Sequence, residues 1–239
     1  MEEVIKLQKN NMKNIKIEQQ ENLGNKDIDK TITKIEFDKF LDKLDKNIYR
    51  EQEYILFKIL WHLPLRNELG ILQYTTTNDF NKLTEAQKGD KNFLIVNSKE
   101  IKIFRSNYKT KKTYGKIIVK LVDKDLKSLL RKYVKKYKFK SGDYIFNPVE
   151  NRKQLNFTVG LDSNNITNIL GNSSRAILNR PLTETNIFKS VLTHNINKLT
   201  NIDEKRKFLE NKSIIRGTNL QDLLHYYLMP KQNDLEIES

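Results

Sequence analysis

The 239-residue chain has no cysteine, which excludes disulfides, thiolate nucleophiles and cysteine zinc sites. Histidine is nearly as scarce. His62, His194 and His225 are scattered and make no histidine-rich metal site, so the chemistry is expected to need no metal or other cofactor. No run of about 18 apolar residues occurs, and the opening MEEVIKLQKN lacks the apolar stretch of a signal peptide. The expectation is a soluble, intracellular protein that does not enter a membrane. No internal repeat is visible.

Positive charge is abundant. Lys and Arg number 44 against 30 Asp and Glu, a net charge of +14 with a pI near 9.6. Such a balance favours an anionic partner, nucleic acid first and an anionic membrane surface second. Richness in Lys, Asn and Ile also fits an AT-rich genome, so charge gives a class of partner and no mechanism. The hydrophobic fraction, 37%, suffices for a core, either one large domain or one domain with an appendage.

Residues 1–30 are rich in Lys, Asn, Gln and Glu, with weak periodicity, and read as a polar arm. Residues 31–230 carry the domain, and residues 231–239 form an acidic tail. TKIEFDKFLDKL places Ile35, Phe37, Phe40, Leu41 and Leu44 near helical spacing, and EQEYILFKILWHL continues as a more buried helix that Pro64 ends or kinks. A helical pattern then resumes through Leu69, Ile71 and Leu72. NFLIVNS, EIKIFRS and KIIVKLV are short β-branched segments that predict a small antiparallel sheet. KDLKSLLRKYVKKYK is helical, GDYIFNP is an extended exit, and SNNITNILGNSSRAIL, TETNIFKSVLTHNINKL, DEKRKFLENKSII and TNLQDLLHYYL predict four more helices opened by Ser, Asp or Thr. The fold class is α+β, mainly helical.

Four stretches carry candidate chemistry. In PLRNELG an arginine sits in a turn behind a buried helix, a geometry that suits phosphate, although taken alone Arg66 is better explained by an ion pair with Glu68 or Glu53. NYKTKKTYGKIIVKL holds Lys109, Lys111 and Lys112 in a turn between strands, from which a lysine reaches DNA or protonates a leaving alkoxide; a solvated turn is the plain alternative. TNIFKSVLTHNINKL brings Asn186 and Lys189 to one helix face, and RGTNLQDLLHYYLMP carries Tyr226 and Tyr227, which also suit a core.

In order along the chain, these segments resemble the catalytic domain of tyrosine recombinases (integrases), related in mechanism to type IB topoisomerases. The resemblance spans residues 33–230, and PLRNELG with YKTKKTYG is similar to integrase-type proteins of large DNA viruses and their satellites. It implies a tyrosine-recombinase-like catalytic domain with Arg66 at the scissile phosphate, Lys109 as general acid (Lys111 or Lys112 as fallback), and Tyr227 as nucleophile, with Tyr226 as the alternative registration. FKSVLTHNI is similar to the family's HxxR helix, where Lys189 stands in place of the second arginine and Asn186 in place of the paired histidine. Thr218 occupies the late His or Trp position. Either Arg175 or Arg180 is a candidate to replace the missing guanidinium in space. Lys111, Lys112, Asn186 and Arg216 are candidate DNA contacts.

The implied reaction is attack of tyrosine on a DNA phosphodiester, giving a 3′-phosphotyrosyl link and a free 5′-hydroxyl. The implied partners are double-stranded DNA, further copies of the chain in a tetramer on DNA, and an accessory protein that completes the DNA clamp. The implied location is at DNA in a host cytoplasm or nucleus, with packaging in a virion as a further option. Two rival readings are a catalytically degenerate DNA-binding relative and a basic nucleic-acid-packaging protein. A relaxing enzyme using the same chemistry is a third.

Overall fold

The computed structural model describes residues 31–45, 50–63 and 65–228. The expected N-terminal arm, the acidic tail and Pro64 lie outside the described residues. Phe37, Phe40, Leu41 and Leu44 recur three and four residues apart, so a helix gathers them on one face. Helix α1 (Lys34–Asp45) buries all four. Ile35, expected in the same stripe, is 70% exposed, because two residues before Phe37 it falls on the far side of the turn. Helix α2 (Glu51–His62) is apolar nearly all round and buries Ile55, Leu56, Phe57, Ile59, Leu60 and Trp61. Phe37 stacks on Trp61 at 4.1 Å, and Phe40 meets Phe57 edge-on at 4.6 Å.

After α2 the helical pattern persists for little more than one turn, a 3₁₀ helix at Asn67–Ile71, and Leu72 enters a strand instead. That strand, β1 (Leu72–Thr76), was not legible as one, although its Thr-rich end favours extended backbone. The chain continues through α3 (Thr77–Lys82), α4 (Glu85–Lys88), β2 (Asn92–Val96), β3 (Ile101–Arg105), α5 (Lys111–Tyr114) and β4 (Ile117–Lys120). The sheet order is β1-β2-β3-β4. β2, β3 and β4 pair antiparallel as expected, but β1 runs parallel to β2, which makes the sheet mixed. A parallel pair requires a crossover, and α3 with α4 supplies it.

The second half is helical: α6 (Lys124–Lys136), α7 (Val149–Lys153), α8 (Ser163–Leu178), α9 (Glu184–Ile196), α10 (Ile202–Arg216) and α11 (Leu220–Leu228). Asp162 and Thr183 cap α8 and α9 with side-chain oxygens, while α10 is capped by Asn201 and not by an Asp, Ser or Thr. The main core joins α1, α2, α6, α8 and the sheet. A second cluster, Phe188, Leu192 and Ile196 of α9 with Leu209 of α10 and Leu223 of α11, seats the last helix, and Tyr227 packs on it. No helix among the described residues is long and apolar enough to cross a membrane.

Gln52 is 1% exposed in the middle of this core. Its carboxamide donates to the Asn147 carbonyl at 3.1 Å and accepts from the Asn147 amide at 2.8 Å, tying α2 to the chain that precedes α7. Gln52→Leu leaves two buried backbone groups without partners, at about 1 to 3 kcal/mol each. We expect a loss of at least about 2 kcal/mol in denaturant unfolding; unchanged stability would contradict this role.

Candidate active site

An α-helix ends with carbonyls that lack amide partners and with a partial negative charge. The end of α10 meets that deficit with amides, hydroxyls and guanidiniums. The Ser213 and Ile214 carbonyls accept from the amides of Thr218 at 2.9 Å and Gly217 at 3.1 Å. The Ile215 carbonyl accepts from Arg105 Nη1. The Gly217 carbonyl accepts from Thr110 Oγ1 at 2.8 Å and from Arg66 Nη2 at 3.3 Å. The Thr218 carbonyl accepts from the Tyr114 hydroxyl at 2.6 Å. One turn of chain thus collects the arginine box, the β3–β4 connection and the Gly-Thr segment.

Gly217 makes this turn possible. Its φ of +67° lies in the left-handed region, and a Cβ there would fall onto Thr110 Oγ1 and the Tyr108 ring.

Three guanidiniums share the neighbourhood. Arg66 is half-buried, whereas Arg105 and Arg216 are 2% and 5% exposed. Arg216 forms an ion pair with Glu184 at 2.6 Å, donates to Thr185 Oγ1 at 3.3 Å and to the Leu65 carbonyl at 3.4 Å, and lies 4.2 Å from the Phe188 ring. Arg105 lies 4.4 Å from the Tyr108 ring and 3.9 Å from Glu68. Burial pulls both groups below the usual arginine range, Glu184 and Glu68 push them back up, and Arg66 lowers each further. Three cations here face two carboxylates. The surplus positive charge is suited to an anion.

Glu68 was expected as a possible partner of Arg66; it forms an ion pair with Arg105. Its Oε1 also accepts from the Lys109 amide at 3.4 Å, so the start of the β3–β4 connection is docked on the arginine box. The Lys109 side chain is exposed beside it. Lys111 is drawn away, donating to the Gly89 carbonyl and pairing with Asp90 at 3.3 Å, and Lys112 is exposed on α5. The connection therefore carries a short helix and is no simple hairpin tip.

Tyr227 points its hydroxyl at the Lys189 carbonyl, 3.4 Å away. The side chain of Tyr226 lies outside the described residues. Asn186, expected to face DNA, is 8% exposed and caps its own helix: its Oδ1 accepts from the Thr183 amide at 2.9 Å and from the Thr183 hydroxyl at 2.6 Å. Arg216, expected at DNA, is buried and held by Glu184. Arg175 reaches Asn172, and Arg180 pairs with Glu36 at 3.5 Å on α1. The guanidiniums grouped with Arg66 are therefore Arg105 and Arg216.

Arg105 has a signal of its own in the sequence. In IKIFR, alternation places it on the face of Ile101 and Ile103, and an arginine on an inward face has a reason to be there. Thr110, Tyr114 and Glu184 carried no comparable signal.

No family model and no curated protein matches the chain. Among solved structures, the fold is similar to that of the integrase of transposon Tn1549, solved in complex with transposon right end DNA, with a TM-score of 0.55 and 14% identity. The similarity covers 85% of this chain and 62% of that one. The likeness is one of fold: a mainly helical α+β domain with a small sheet, arranged as in that integrase. In this fold the Gly217 turn between α10 and α11 meets the arginine box through Arg66, and α11 packs on α9 through Leu223 and Tyr227.

Gly217→Ala forces a methyl group into Thr110 and a strained backbone, so it is expected to cost more than about 1 kcal/mol of stability. Thermal unfolding of the variant measures this. A melting temperature equal to that of the parent would contradict the close approach.

Proposed function

We propose that the chain breaks and rejoins double-stranded DNA as a site-specific recombinase or integrase, through a 3′-phosphotyrosyl intermediate. The observation that carries this reading is the convergence of Arg66, Thr110 and Tyr114 on Gly217 and Thr218, one helix before Tyr227, in a fold shared with a DNA-bound integrase. The Tyr227 hydroxyl gives up its proton to water as its oxygen attacks phosphorus, and the bond to the 5′-oxygen breaks. Lys109, exposed beside Arg66, gives that oxygen its proton. Arg66 releases the Gly217 carbonyl and takes the non-bridging oxygens, where its fork matches two acceptors at once. Lys189 adds a second positive charge and Thr218 a hydroxyl donor. Rejoining is the reverse step with another 5′-hydroxyl. The bond energy is kept in the phosphotyrosyl link, so no metal or nucleotide enters the scheme.

Lys112 reaches the duplex from the β3–β4 connection, and Lys111 joins it when released from Asp90. Asn186 and Arg216 act from behind the surface, by holding α9 and the Leu65 carbonyl. Tyr226 replaces Tyr227 if the helix registers differently on DNA. Tetramer assembly on DNA, an accessory protein and a setting at the DNA of a virus or other mobile element belong to the same proposal; the transposon neighbour favours the mobile element.

A second reading is a DNA-binding relative that has lost catalysis. Lys189 cannot reproduce a guanidinium fork, and the Tyr227 hydroxyl is directed at a backbone carbonyl.

Metal-free incubation with nicked suicide duplexes from the element's own flanking DNA separates the two. An SDS-resistant adduct is expected, lost in Tyr227→Phe and reduced about 100-fold or more in Arg66→Ala. Binding without an adduct, while a known recombinase reacts on its own site, supports the second reading. Lys189→Arg is expected to raise the cleavage rate; an unchanged rate in a folded variant would remove Lys189 from the phosphate.

A further inference from the structure

Three polar atoms near Arg66 are buried without a hydrogen-bond partner: Arg66 Nε, Glu68 Oε2 and Arg105 Nη2. Their residues line one small cavity with Leu65, Leu69, Leu72, Asn92 and Ile103, of about 10 Å³. That is the space of a single water molecule. The chemistry of the lining matches one as well. Two N–H donors and one carboxylate acceptor are what a water satisfies, accepting two hydrogen bonds and donating one. Asn92 does not compete, because its Oδ1 already accepts from the amides of Ser106 and Asn107, and its Nδ2 donates to the Asn107 carbonyl.

Arg105 is costly to retain. It is 2% exposed on the strand face it shares with Ile101 and Ile103, where a leucine or methionine would avoid the desolvation of a cation. Its fork does not reach a substrate surface: Nη1 is on the Ile215 carbonyl, and its planar face is against Tyr108. What it does approach is Glu68, at 3.9 Å from Oε1, whose other oxygen is buried without a partner in a residue that lines the same cavity as Arg66.

We infer that Arg105 is a positioning residue for Arg66, acting through Glu68 and one buried water that bridges Arg66 Nε, Glu68 Oε2 and Arg105 Nη2. This rests on the proposed DNA-cleavage reading for its rate consequence, and on no reading for its geometry. Fixing Nε leaves both Nη groups of Arg66 free to meet two phosphate oxygens in one orientation. Without the bridge the guanidinium turns about its last torsions and the fork is misaimed, an error that costs about 10- to 100-fold in rate.

Two measurements test this separately. The first is structural: a crystal structure resolving ordered waters, together with the Arg66 Nε–H signal in ¹⁵N–¹H spectra. A water bridging the three groups is expected, with an Nε–H slow to exchange in the parent and fast in Arg105→Met. A dry cavity, or an exchange rate unchanged in Arg105→Met, would overturn the inference. The second is kinetic, on the suicide duplex. Arg105→Met should slow adduct formation at saturating DNA by about 10- to 100-fold with DNA affinity within about twofold, and Arg105→Lys should recover part of the rate. Arg66→Ala with Arg105→Lys should be no slower than Arg66→Ala alone, since the ammonium keeps a donor for the Ile215 carbonyl and the bridge acts through Arg66. Multiplying effects would overturn the positioning role. Should Arg105→Met not fold, Arg105→Lys carries both tests, with slower cleavage at unchanged affinity expected. A parent that forms no adduct refutes the proposed function and leaves the structural test decisive.

Discussion

Guanidiniums bound at the C-terminal end of α10 are the interaction on which the rest of the site depends. A helix end with surplus carbonyls attracts cations, by up to about 2 kcal/mol in partly buried geometries. Here the attraction is used from two directions, by Arg66 on the Gly217 carbonyl and by Arg105 on the Ile215 carbonyl. Arg216, the last residue of that helix, returns the contact by donating to Leu65, next to Arg66. Segments about 150 residues apart are thereby held in register. The same arrangement leaves one guanidinium, Arg66, half-buried, with a 3.3 Å hydrogen bond to the Gly217 carbonyl to give up when a stronger acceptor arrives.

Charge explains why the arrangement is stable and yet receptive. Glu68 and Glu184 offset two of the three guanidiniums, Arg105 at 3.9 Å and Arg216 at 2.6 Å. A third buried carboxylate would have neutralised the site. A lysine in place of Arg105 or Arg216 would reach one acceptor where each arginine spans two or more, because the guanidinium fork is planar and the ammonium is a point charge. Arg216 is stacked on Phe188, the chain neighbour of Lys189.

Much of the fold was legible in the sequence because periodicity and burial agree there. The stripe of Phe37, Phe40, Leu41 and Leu44, the amphipathic α6 and the β-branched segments at β2, β3 and β4 each bury the residues that their spacing selects. β1 was not legible, since a five-residue strand directly after a 3₁₀ turn shares its apolar residues with that turn. At the site, the arginine box and the Gly-Thr segment were visible as motifs. What was not visible was their mutual contact, because the fit of Thr110 and Tyr114 onto Gly217 and Thr218 depends on tertiary distance and leaves no periodic trace. Asn186 and Arg216 show the converse limit. Their residue types suit DNA, but burial gives Asn186 to a helix cap and Arg216 to Glu184.

The most direct measurement is a crystal structure of the chain on a short nicked duplex, reading the distance from the Arg66 guanidinium to the nearest non-bridging phosphate oxygen. The expected result is that Arg66 has left the Gly217 carbonyl for a phosphate within about 3 Å, with the Lys109 side chain and the Thr218 hydroxyl directed at the same phosphate and Tyr227 moved off the Lys189 carbonyl. DNA bound on another face, with Arg66 still on Gly217, would contradict the assignment of this turn as the phosphate site.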